Sequence, residues 1–274
     1  MSLRTSFRLS LLAASLAGGS GLTVLADELS SAHAATNVPL AVTRSSGYLP
    51  WHVELQRQWT DRGTLEEDSK TTLRLEATPT EYLSLVRVDI PFVDEKNGDP
   101  MTPHLGDIVF KLETVPWRFG VTDWQVLLQT TFPSAQPESL GTGKYQLTPG
   151  FEFWVPLWVS SQSNGPPVWR TGVKPLVEQF VSVAGDPSRN DIDYTKIEFP
   201  LEGGWKGKVS LKLNPKFMVD YVGGVTSGAV FEFEPHWNIN RRWELDLTLG
   251  HSLWGVGVPG TYQKKVEFWV RFNF

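Results

Sequence analysis

The chain contains no cysteine. That excludes disulfides, thiolate metal sites, a catalytic thiol and a lipidated N-terminal cysteine. Long apolar runs are missing as well. After residue 26 nothing reaches the roughly 18 consecutive apolar residues of a membrane-spanning helix. No basic block stands out and the net charge is −5 over 274 residues, so nucleic acid is not an expected partner. Histidine is scarce, none of it in HExxH spacing, and no EF-hand pattern occurs, so neither a metal nor a cofactor is expected. No repeat of about 40–50 residues argues for a propeller. Aromatic residues are what the sequence has in excess: 12 Trp, 6 Tyr and 15 Phe, many of them two residues apart.

Residues 1–34 have the layout of a secretory signal. Arg4 and Arg8 form a basic start, LSLLAASLAGGSGLTVLA an apolar centre, and cleavage fits after Ala26 or after Ala34. An N-terminal membrane anchor fits less well, because Gly18, Gly19 and Gly21 interrupt the apolar run. Removal of 1–34 takes away Arg4, Arg8, Asp27 and Glu28, and the net charge stays at −5. The expected division is signal peptide 1–34, a periplasmic segment or lumen plug 35–49, and a barrel 50–274.

Beyond residue 50 the hydrophobic period is two, not 3.6. In VEFWVRFNF, Val266, Phe268, Val270, Phe272 and Phe274 share one face, with Glu267, Trp269, Arg271 and Asn273 on the other. The same alternation runs through 144–157, 209–219, 229–237 and 243–249, and less regularly through 50–60, 70–77, 81–91, 105–117, 121–132, 168–183 and 191–201. This predicts about twelve antiparallel strands of about ten residues, the length at which a tilted strand crosses a membrane. Short turns (78–81, 119–122, 202–207, 238–241) alternate with longer polar loops (61–69, 92–104, 133–142, 184–190, 253–262), as in outer-membrane barrels. The segment 160–167 is too long for its place among the short turns. In this threading Trp51, Trp117, Trp124, Trp158, Trp169, Trp205, Trp237 and Trp243 gather at the periplasmic end, with Trp59 and Trp254 at the outer end. Interfacial girdles predict such grouping, whereas a soluble sandwich would scatter its tryptophans. The predicted fold is an all-β, up-and-down transmembrane barrel.

LGDIVFKLE followed by FPSAQPESLGTGKYQLTPGFEFW resembles the outer-membrane proteins of the MetA-pathway phenol-degradation family, which are described as transporters. The matching residues are Leu105, Gly106 and Asp107, then Phe132 and Pro133, then Leu140, Gly141, Thr142, Gly143, Lys144, Tyr145 and Pro149, about a fifth of the chain. The resemblance implies a barrel in the outer membrane of a Gram-negative bacterium that passes small, apolar or aromatic solutes. Its partners would be outer-membrane lipid and lipopolysaccharide. The last strand resembles the sorting signal read by the barrel-assembly machinery, which implies a recognition role for Phe268, Val270, Phe272 and Phe274.

The threading directs Arg74, Arg87, Lys111, Lys144, Arg170, Lys174, Lys212, Lys216 and Arg271 into the lumen. With them go Glu54, Glu76, Asp89, Glu113, Glu152, Glu178, Glu232, Glu234, Glu244, Asp246 and Glu267. Lys111, Glu113, Lys212, Glu232, Glu234, Glu244, Asp246, Glu267 and Arg271 are candidate constriction residues. The acids among them would face cations across the pore, or else all would form internal salt bridges. A lipid hydrolase is the alternative, with Ser163 in QSNG as nucleophile, but position 161 is Ser where such enzymes carry His. His251 and Ser252 are adjacent on a strand and so point to opposite faces. A structural barrel with a filled interior is the third reading. The loop acids Asp61, Glu66, Glu67, Asp68, Asp94, Glu95 and Asp99 would either hold divalent cations against lipopolysaccharide or be solvated charges.

Overall fold

Alternation decides the architecture. In a computed structural model, residues 51–61, 68–79, 82–96, 99–160, 169–205 and 208–274 are described. The expected signal 1–34, the segment 35–49, and Ser163, Glu66 and Glu67 lie outside them. No α-helix occurs among the described residues; one short 3-10 turn spans Glu138–Leu140.

The strand segments, in chain order, are β1 (Trp51–Thr60), β2 (Asp68–Ala77), β3 (Leu83–Lys96), β4 (Asp99–Leu105), β5 (Ile108–Thr114), β6 (Trp117–Phe119), β7 (Thr122–Phe132) and β8 (Lys144–Val159). They continue as β9 (Trp169–Val173), β10 (Leu176–Gly185), β11 (Asp193–Glu198), β12 (Leu201–Trp205), β13 (Val209–Asp220), β14 (Thr226–Asn238), β15 (Trp243–Trp254) and β16 (Lys264–Asn273). Every pairing among the described residues is antiparallel, and β16 returns to pair with β1 from Thr60 opposite Lys265 to His52 opposite Asn273. The sheet is therefore closed and has no free edge.

The segments make twelve strands, because β4–β6, β9–β10 and β11–β12 are each one strand with interruptions. The breaks follow from residue chemistry. Pro116, Pro175 and Pro200 have no N–H to give the ladder. The neighbouring strands bridge the gaps: Lys174 N–H donates to the Pro200 carbonyl (2.9 Å), Phe153 N–H to Pro175 (3.0 Å) and Phe199 N–H to Pro215 (3.0 Å). The expected loop 92–104 is mostly wall instead. β3 runs on to Lys96 and β4 begins at Asp99, so the hairpin extends the barrel.

The burial pattern is inverted relative to a soluble protein. Glu54 is 0% exposed while its neighbour Leu55 is 53% exposed and Trp51 61%. Buried side chains are mainly Glu, Gln, Thr, Asn, Arg and Asp, and exposed ones include Leu157, Phe233, Leu249, Val266 and Phe268. This is the arrangement of a barrel in lipid around a polar interior. The tryptophans group by height. Trp51, Trp117, Trp124, Trp158, Trp169, Trp205, Trp237 and Trp243 sit toward one set of strand ends, where β2 leads to β3, β6 to β7, β8 to β9, β12 to β13 and β14 to β15. Trp59 and Trp254 sit at the opposite, long-loop end.

Candidate functional site

The inward side chains form two continuous charged walls. On the first, strand register places Glu244, Arg271, Glu54, Arg74 and Asp89 side by side on β15, β16, β1, β2 and β3. Signs alternate along this row, so each arginine bridges two acids. Arg271 lies 3.3 Å from Glu244 and 2.8 Å from Glu54, and Arg74 lies 2.7 Å from both Glu54 and Asp89. Asn273 donates to Glu244 (2.9 Å), and the Arg74 guanidinium stacks on Trp269. One row nearer the short-turn end, His52 bonds Glu76, and Arg87 reaches Asp89 (3.3 Å). Lys111 pairs with Glu113 on its own strand (2.8 Å).

The second wall runs over β10, β11, β13, β14 and β16. Lys196 bridges Glu178 and Glu198 at 2.7 Å each, and Lys216 bridges Glu198 (3.6 Å) and Glu232 (2.7 Å). Lys265 joins Glu232 (2.6 Å) to Glu267 (3.6 Å), and Lys212 pairs with Glu234 (2.5 Å). Asn214 donates to Glu198 (2.8 Å). His236 pairs with Asp246 at 2.8 Å. Between the walls, Lys174 pairs with Glu152 (2.8 Å), and Arg170 stacks on Trp154. Glu232, Glu234, Glu244 and Asp246 thus each have a basic partner on a neighbouring strand. Charges neutralised at such short range leave little net field along the lumen.

Two loops shape the long-loop end. The loop 133–143 docks on the break between β4 and β5. The Asp107 carboxylate accepts the Thr142 N–H (2.6 Å), the Thr142 hydroxyl (2.9 Å) and the Ala135 N–H (3.3 Å). Ser134 donates to the Gly106 carbonyl (3.0 Å) and accepts the Ile108 N–H (2.9 Å). A Cβ at Gly141 would come within 2.6 Å of the Ala135 Cβ, so that position must be glycine. The Gly-Asp and Gly-Thr-Gly halves of the family resemblance are therefore physical partners. On the far side, Lys144 pairs with Asp191 (2.9 Å) and Arg189 donates to the Glu138 carbonyl (3.2 Å).

The loop 255–263 folds inward instead of outward. Tyr262 is buried and its hydroxyl donates to Glu232 (2.6 Å), while its ring packs with Met218, Val230 and Val258. Gly250 makes room, since a Cβ there would overlap the Tyr262 ring. Gly228 does the same for Thr261. Asp61 fixes the far end by accepting the N–H groups of Gln263 (2.6 Å) and Lys264 (2.8 Å).

Two more of the loop acids have protein partners. Asp68 pairs with Lys96 (2.6 Å) and Asp94 with Arg57 (2.6 Å) and Ser69 (2.7 Å). Among the described residues no three His, Asp or Glu side chains converge as a metal site. Sequence reasoning missed Lys196, Glu198 and Lys265. The available signals were the alternation of Lys196 and Glu198 with Ile197 and Phe199, and the parity of Lys265 with Glu267 and Arg271. It also missed Tyr262, for which the glycines at inward positions 228 and 250 were the only hint.

No protein-family model matches the chain, and no curated protein does either. Solved structures do. The COG4313 outer membrane channel from Pseudomonas putida F1 aligns with a TM-score of 0.56 at 12% identity, over 82% of this chain and 94% of that one. The NanC porin aligns with a TM-score of 0.52 at 6% identity, over 81% and 98%. The fold is that of an outer-membrane β-barrel.

Proposed function

We propose that this protein is an outer-membrane channel that passes small solutes with an apolar or aromatic body. The observation that carries the reading is a closed barrel, apolar outside, whose polar interior is charge-balanced wall by wall. Among the described residues, Arg87 Nε, Thr148 Oγ1, Trp154 Nε1, Arg170 Nε and Asn214 Oδ1 are buried without a protein partner. Polar atoms left this way suit a water-lined interior. The balance of signs disfavours strong selection among ions and favours weakly charged cargo. The resemblance to the MetA-pathway phenol-degradation family supports an apolar or aromatic solute, and the solved likenesses include a protein described as a channel and one described as a porin. In this reading Phe268 and Phe274, exposed on the outer face, meet lipid and carry the assembly signal, and the long-loop end meets lipopolysaccharide.

Among the described residues nothing favours lipid hydrolysis, and Ser163 lies outside them. The His251 ring is bonded to the Gln263 carbonyl (2.6 Å) and the Ser252 hydroxyl to the Trp254 carbonyl (3.3 Å), so the pair is not coupled. Planar-bilayer recording is the test: folded protein should give uniform current steps, and a silent, folded barrel would favour the structural reading.

A further inference from the structure

Arg74, Arg271, Lys196, Lys212, Lys216 and Lys265 of the two walls each touch an acid, and Lys70 touches none among the described residues. In the row of Glu54, Arg74 and Asp89, the cation has an acid on each neighbouring strand. Four residues along β2 from Arg74 the row reads Gln58, Lys70, Val93, and neither neighbour carries charge. Lys70 has the same inward parity as Arg74 and Glu76. It makes no ion pair and no hydrogen bond with any described residue.

Lys70 also lines a cavity of about 360 Å³ at the long-loop end, roofed by the 133–143 loop. Gln58, Thr131, Val93, Val109 and Leu140 line it with Lys70, and so do Lys96 and the carboxylates of Asp68 and Asp107, so the lining is part polar and part apolar. The nearby acids are engaged: Asp68 by Lys96, Asp107 by Thr142 and Ala135, and Glu267 by Lys265 and the Trp269 indole. The volume lies at the small end of ligand sites, which run from about 300 to 1,000 Å³.

An ammonium held in a protein wall with no acid in contact loses solvation that acids further off return only in part, so it favours a mobile anion. We infer that this cavity is a binding subsite for a small organic carboxylate. The carboxylate sits on Lys70, Gln58 and Thr131 offer side-chain donors, and the apolar body rests on Val93, Val109 and Leu140. The inference rests on the channel reading and names the class of solute that pauses at its mouth.

Benzoate and benzyl alcohol are the probes, being close in size and differing in charge. In planar bilayers benzoate should interrupt the wild-type current at lower concentration than benzyl alcohol. Lys70→Met should weaken the benzoate block about tenfold or more, and Lys70→Arg should keep it. An unchanged block in Lys70→Met, or equal block by the two probes, overturns the assignment. If the folded barrel carries no current, the channel reading fails, and calorimetric titration of benzoate into the barrel in detergent still decides the subsite. Heat that disappears in Lys70→Met supports it, and no heat in the wild type overturns it.

Discussion

Glu54 shows how much depends on single residues when the interior is charged. It is fully buried and shared by Arg74 and Arg271, each of which keeps one further acid, Asp89 or Glu244. Removing one member of a buried ion pair costs several kcal/mol because the remaining charge stays desolvated. Glu54→Ala should therefore lower stability by about 3 kcal/mol, the low end for such losses, since both arginines retain a partner. Urea titration of the folded protein in detergent, followed by tryptophan fluorescence, measures this.

Asp191, by contrast, is a loop residue. The Lys144 ammonium holds its carboxyl below the ordinary aspartate range, with the Ser182 hydroxyl adding to the effect. A depressed carboxyl pKa means the contact is present above the ordinary value and is lost as pH falls through the lowered one. The loop 186–192 should thus become more open to proteolysis in acid, below about pH 4. Asp191→Asn should show that sensitivity already at pH 7.

At the scale of elements, strands and loops obey different rules. Strands were legible because alternation is a local property: the expected 50–60, 121–132 and 144–157 appear as Trp51–Thr60, Thr122–Phe132 and Lys144–Val159. The interruptions at Pro116, Pro175 and Pro200 were visible as prolines, but not how neighbouring carbonyls would carry the ladder past them. Loops were not legible, because their course depends on contacts distant in sequence. Nothing in 255–263 alone says that the loop enters the lumen. Gly228, Gly250, Glu232 and Asp61, from three other parts of the chain, receive it.

That anchoring makes a prediction about the loop as a unit. Tyr262→Phe deletes the hydroxyl bonded to a buried carboxylate, an interaction worth about 1.5–3 kcal/mol. The loop should then leave the wall more often, giving larger or noisier single-channel current and faster cleavage within 255–263. Current and cleavage identical to the wild type would mean that packing against Met218, Val230 and Val258 holds the loop by itself.

For the whole molecule, the mean hydropathy of −0.20 averages two opposite surfaces. Sorting residues by parity separates them, which is why the closed twelve-strand barrel was readable from sequence. Parity also points many of the charges inward, but the expected set lacked Lys70, Lys196, Glu198 and Lys265. Who pairs with whom was not readable, since cross-strand register is set by the closure of the whole ring. Register places Lys216 and Arg271 on strands adjacent to Glu232 and Glu244, and Lys265 reaches Glu232 from β16 past β15. The result is an interior that is polar without being strongly of one sign, suited to passing a small solute.

Single-channel recording of the purified, folded protein in planar bilayers tests that account most directly. Folding is first established by a shift in gel migration on boiling. The account predicts discrete current steps of uniform size with weak preference between small cations and anions. Absence of steps from demonstrably folded barrels, both intact and lacking residues 35–49, would contradict it.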